Sequence, residues 1–134
     1  MMLAVTAVGY ISCEKTHKWV GTYECEEIYS WWYQTKPPDG GWIEVSGTEV
    51  FQTMVEITTV ENSILNFSEN RNGGSYEAKI NSDGSFRECY GSGAKPLING
   101  NLYGDSLNMT IYHTTALGAG SSSIYKGKKI KNVK

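Results

Sequence analysis

From Lys18 onward, apolar and polar side chains alternate with a period of two. Trp19, Gly21, Tyr23 and Cys25 fall on one face of a strand, and Lys18, Thr22, Glu24 and Glu26 on the other. Phe51, Val55 and Ile57 alternate with Val50, Gln52, Met54 and Glu56. Shorter runs follow, with apolar positions at Leu65 and Phe67, at Tyr76, Ala78 and Ile80, and at Phe86 and Tyr90. The last are Ile98 and Leu102, then Leu107, Met109 and Ile111, and finally Ile124. No stretch after residue 18 keeps a helical spacing for three turns. Between the runs stand turn sequences: Pro37-Pro38-Asp39-Gly40-Gly41, Asn70-Arg71-Asn72-Gly73-Gly74, Asn81-Ser82-Asp83-Gly84, Gly104-Asp105 and Leu117-Gly118-Ala119-Gly120-Ser121. The pattern predicts an all-β protein, an antiparallel up-and-down meander of about eight strands. Closing it into a full or nearly full barrel removes the exposed edges.

The first thirteen residues differ. Met1 to Ser12 carry no charge, and Cys13 ends the run before Glu14, Lys15, His17 and Lys18. Twelve residues are too few to span a bilayer as a helix, but they suit the apolar region of a signal peptide. The chain therefore divides into a signal-like segment (1–12), a short linker (13–17) and a barrel domain (18–134). Tyr10-Ile11-Ser12-Cys13 resembles a bacterial lipobox. The resemblance implies cleavage before Cys13, lipidation of that residue, and anchoring in the cell envelope, at the outer membrane or the periplasmic face. The competing reading makes residues 3–12 an ordinary first strand.

Three cysteines are an odd number. With Cys13 given to lipid, Cys25 and Cys89 remain, as a disulfide or as two free thiols. Cys89 is out of phase with Phe86 and Tyr90, so a bridge requires a bulge.

Charge narrows the partners. Five of the 12 basic residues lie in the last nine positions, so the preceding 125 hold seven against all 14 acidic ones. Nucleic acid is an unsuitable partner for so acidic a body. Candidate chemistry is sparse. His17 and His113 have no ligand at metal spacing, and Asp39, Asp83 and Asp105 all sit in turns beside Gly. Neither a nucleophile elbow nor a phosphate-binding loop is present. The expectation is a binding protein with no catalytic residue, metal or cofactor.

Aromatic residues carry the binding expectation. Trp31 and Trp32 are adjacent and must point to opposite faces of a strand, and Trp42 lies just across the Pro-Pro turn. Cross-strand packing of either indole on Trp42 is the purely structural account. Trp19-Val20-Gly21-Thr22-Tyr23, the hairpin Tyr76 to Phe86, and the ending Ile98 to Met109 with Tyr125-Lys126-Gly127-Lys128 resemble the small lipocalin-like lipoproteins of Bacteroidetes. The resemblance implies the barrel fold; the aromatic residues themselves give the expectation that its interior or mouth receives a small apolar molecule or a glycan, with Trp19, Tyr23, Trp31, Trp32 and Trp42 as the lining. Tyr23-Glu24-Cys25 and Ser92-Gly93-Ala94-Lys95 also resemble parts of the membrane-bound lysozyme inhibitors. That likeness implies a protein-interaction module, inhibiting a hydrolase through Ser92 and Lys95 or serving as a subunit of an envelope complex.

Overall fold

A computed structural model describes residues 18–89, 97–116 and 119–130, with backbone alone for Cys89 and residues 114–116. Eight antiparallel strands follow one another up and down: β1 Gly21–Thr35, β2 Ile43–Glu61, β3 Ile64–Glu69, β4 Ser75–Lys79, β5 Ser85–Cys89, β6 Leu97–Tyr103, β7 Ser106–Ala116 and β8 Ala119–Lys129. Sequential hairpins and a long β1–β8 pairing give the order β4-β3-β2-β1-β8-β7-β6-β5. The two outer strands then approach each other at a single backbone bridge, Ile80 to Phe86. The expected barrel is therefore nearly closed, with one seam between β4 and β5. The Glu88 carboxylate also crosses the seam, accepting from the Lys79 amide at 3.1 Å.

The inward residues of each strand are the apolar members of the alternation. Tyr23 and Cys25 of β1, Val55 and Ile57 of β2, Leu65 and Phe67 of β3, and Leu107, Met109 and Ile111 of β7 are all buried. Burying one such side chain contributes about 2 kcal/mol. Phe67 stacks on Phe86 with ring centroids 4.8 Å apart, which links β3 to β5 beneath the seam. At the base, where β1 begins, Trp19 is buried and its carbonyl accepts the Tyr23 hydroxyl at 2.9 Å. Gly104 and Asp105 form the two-residue turn anticipated there, with Gly104 left-handed at φ 58°.

One phase assignment is corrected. On β8 the core residue is Tyr125, and Ile124 lies outside, flanked by Ile28 and Thr110. A single apolar residue in a run of serines, lysines and glycines gave the wrong face, because the flanking Tyr125 is equally able to fill a core. The cysteine question is also answered in part: Cys25 is a free, buried thiol. It lies between Thr53 and Gly127 on the neighbouring strands.

β1 and β2 are the longest strands, and they continue past the barrel. β3 pairs with β2 only from Val55 onward, whereas β1 and β2 stay paired out to Thr35 and Ile43. β8 accompanies β1 as far as Tyr33. The mouth end thus carries a projecting arm, with β8 as its second support.

Candidate functional site

The mouth is built around Glu27. Parity places it on the inward face above Tyr23 and Cys25, and its side chain is completely buried. Oε1 accepts from Thr53 Oγ1 at 2.8 Å and from Arg71 Nε at 2.8 Å. Oε2 accepts from Ser123 Oγ at 2.8 Å and Arg71 Nη2 at 2.6 Å. Burial drives the Glu27 pKa up, but the donors Arg71, Ser123 and Thr53, with the charge of Arg71, outweigh it and leave the pKa below the ordinary value.

Arg71 reaches Glu27 from the β3–β4 turn. That turn is held by Glu69, whose carboxylate accepts from the amides of Asn72 and Gly74. Asn70 ties it to β2, exchanging hydrogen bonds with Met54 at 2.9 and 3.1 Å. The guanidinium then lies 4.1 Å from the Phe51 ring centre and 5.3 Å from that of Tyr29. With Leu65, Phe67 and Leu107 buried in the barrel and Arg71 across its mouth, the interior is occupied by the protein's own side chains.

Beyond the mouth, the arm presents aromatic residues on both faces. Trp31 faces inward and rests on Gly47 of β2; a Cβ at Gly47 would come within 2.4 Å of the indole. Trp31 also stacks on Tyr33, with centroids 5.9 Å apart and planes 13° apart. Trp32 faces outward and lies over Gly120 of β8, where a Cβ would meet three indole atoms between 2.9 and 3.2 Å. Each indole therefore packs against a glycine of the neighbouring strand, where no side chain competes for the space, and Trp42 stands 68% exposed before β2.

The outward face of Trp32 borders a cleft of about 400 Å³. Its floor is hydroxyl-rich: Ser30 and Thr48 lie side by side at 3.4 Å, and Ser46 and Ser122 continue the rows on β2 and β8. Tyr112 of β7 stands on the far side, and Glu44 at the arm end. Trp32 is 40% and Tyr112 45% exposed, so both rings face solvent with part of their surface free. His113 borders the cleft too; burial lowers its pKa, partly countered by Glu69 and Glu27.

The five aromatic residues expected to form one lining do not all come together. Trp19 and Tyr23 are core residues at the base and Trp42 is at the arm's tip, whereas Trp31 and Trp32, on opposite faces of the strand, both border the cleft. Cys13, Ser92 and Lys95 lie outside the described residues, as does the side chain of Cys89. Glu27 and Arg71 escaped the sequence reading. The signal for Glu27 was its parity with Tyr23 and Cys25; nothing in the pattern pointed to Arg71, which sits in an ordinary turn. The glycines beneath the indoles were legible only as turn or strand glycines until the register was known. Comparison with protein-family models, with curated proteins and with solved structures finds no match.

Proposed function

We propose that the protein is a cell-envelope lipoprotein that binds glycan on the outer face of its arm, without catalysis. The observation that carries this reading is the partly exposed Trp32 indole packed against Gly120 beside a trough of hydroxyls. A partly exposed indole offers π surface to the C–H face of a sugar ring, and neighbouring hydroxyls serve the sugar's own. A ligand carried inside the barrel is the less favoured version, since core side chains and Arg71 occupy that space. Anchoring through Cys13 fits the same arrangement. Cys13 precedes Lys18 by five residues in sequence, and Lys18 lies at the base, the end opposite the arm.

The direct test is titration of the intact protein with soluble cell-wall and plant oligosaccharides, followed by tryptophan fluorescence and calorimetry. Trp32→Ala should weaken binding more than about tenfold, the scale of a central aromatic anchor. Binding that ignores this substitution would remove the platform from consideration. Labelling with a fatty-acid analogue in a bacterial host, lost in Cys13→Ala, tests the anchor.

One observation favours a second reading, a protein partner. Next to the cleft, Val50, Ile28 and Ile124 form an apolar row across β2, β1 and β8, and Val50 is 58% exposed. A hydrolase inhibitor or complex subunit would cover this row. Inhibition of a lysozyme-type hydrolase, abolished by changing Ser92 and Lys95, would turn the assignment to that reading.

A further inference from the structure

We infer that the cleft selects its sugar by charge, taking amino sugars before neutral ones and rejecting uronic acids, with Glu44 as the selecting residue. The inference rests on the glycan reading and names the class of ligand within it. Glu44 pairs with Gln34 in the β1–β2 register, two positions beyond Trp32, and so projects from the outer face on the same side as the indole. It is the one carboxylate bordering the cleft, and no Lys or Arg borders it among the described residues. Among the described residues, the other ionisable groups there are the Tyr112 phenol and the His113 imidazole. His113 is half-buried and in phase with the inward-facing Ile111, and burial disfavours its charged form, holding its pKa below the ordinary value. The remaining polar groups are neutral hydroxyls, which treat the three sugar classes alike.

A sugar ring seated on Trp32 places its substituents over Ser46 and Gly120, the two register partners of that residue, and towards Glu44. An ammonium there meets a carboxylate; a uronate meets like charge, with no cation among the described residues bordering the cleft to offset it. The site is exposed, so the effect is a few-fold one. Two unit charges about 4 Å apart in water interact by enough to change affinity about fivefold. Salt should erode that difference, because the screening length is about 10 Å at 0.1 M and about 3 Å at 1 M.

The experiment is calorimetric titration of the intact protein with three tetrasaccharides: glucosamine, N-acetylglucosamine and galacturonate. At pH 6, where the amines are largely protonated, the glucosamine tetramer should bind about fivefold more tightly than its acetylated form, and the galacturonate most weakly. Glu44→Gln should bring the first two together, as should 1 M salt. Equal binding of glucosamine and galacturonate, or a preference that survives Glu44→Gln, overturns the charge selection while leaving the glycan platform intact. Failure of all three sugars to bind overturns both.

Discussion

At the scale of single residues, the mouth depends on an ion pair that must stay intact. Removing a carboxylate from water costs several kcal/mol unless partners restore what solvent supplied. Glu27 has Arg71, Thr53 and Ser123 as donors, and loses its only opposite charge if Arg71 is removed. Arg71→Ala should therefore cost about 3 kcal/mol in urea unfolding, whereas the pair replaced together should cost less than that single change. Arg71→Lys restores the charge but not the two-pronged contact, and should recover only part of the loss. The acid limb follows from the same group. A carboxyl whose folded pKa lies below its unfolded value contributes stability that is complete above the unfolded pKa. That contribution is lost as pH falls through the folded one. Glu27 is of this kind, with an ordinary value of 4.5, so stability should decline below about pH 4.5. Asp83, held low by hydrogen bonds from Ser85, acts in the same sense but only below its own ordinary value of 3.8. Glu27→Gln should flatten that limb in unfolding curves taken from pH 6 to 3; an unchanged limb would assign it to other carboxyls. Cys25 is inert for a related reason. Burial, with the nearby charge of Glu27, pushes its pKa up to about 12, so the thiolate that alkylating reagents need is absent at pH 8. Peptide mapping after iodoacetamide treatment should find Cys25 unmodified until denaturant is added.

At the scale of elements, the arm and the base use tryptophan for different ends, and substitution should separate them. Trp19 fills the base, and Trp19→Ala should cost about 3–5 kcal/mol as a large core truncation. Trp32 lies on the outer face, and its loss should alter stability by no more than about 1 kcal/mol while removing the platform. Gly120→Ala addresses the platform without touching the indole itself: the new methyl meets the ring at 2.9–3.2 Å and tips it off the strand. Weaker glycan binding with an unchanged unfolding midpoint is the expected outcome; full binding would mean that the indole's seat against Gly120 is not required. The pattern of alternation was enough to locate every strand, because a half-buried strand must place its apolar residues on one side. It was enough, too, to place Trp31 and Trp32 on opposite faces. It failed where a residue's role depends on a distant partner. Glu27 read as one more polar strand residue, since the guanidinium that makes its burial tolerable arrives from a turn 44 residues away. Trp42 looked like the partner of an indole, being the aromatic residue across the hairpin, but the long register brings Gly47 and Gly120 into those places.

At the scale of the whole molecule, cohesion is unequal around the barrel, and this decides where it opens. β1 pairs with β2 over fifteen positions and with β8 over eleven, so the wall that bears the arm is continuous backbone ladder from base to mouth. β4 and β5 have five residues each, and among the described residues they are joined by the Ile80–Phe86 bridge, the Asn81–Ser85 bonds of the adjoining turn and one side-chain bond from Glu88. Packing holds the seam instead: Phe67 on Phe86 beneath it, and Ala78 and Ile80 in the core. A segment joined by few backbone hydrogen bonds opens locally at lower free energy than one in the centre of a long ladder. Amide hydrogen exchange should therefore proceed fastest, among the strands, along the seam-facing amides of β4 and β5, and slowest in β1 between Tyr23 and Ile28. Phe86→Ala should widen that difference, because it removes the stacked ring that spans the seam, and it should leave exchange along the arm unchanged. Uniform exchange around the barrel would show that the eight strands open as a single cooperative unit. The proposed glycan platform stands on the most firmly laddered wall, opposite in strand order to the seam. A rigid binding surface can thus be kept on a barrel that yields on its other side, and bound sugar should slow exchange at Ser30, Trp32 and Ser122 while leaving the seam untouched.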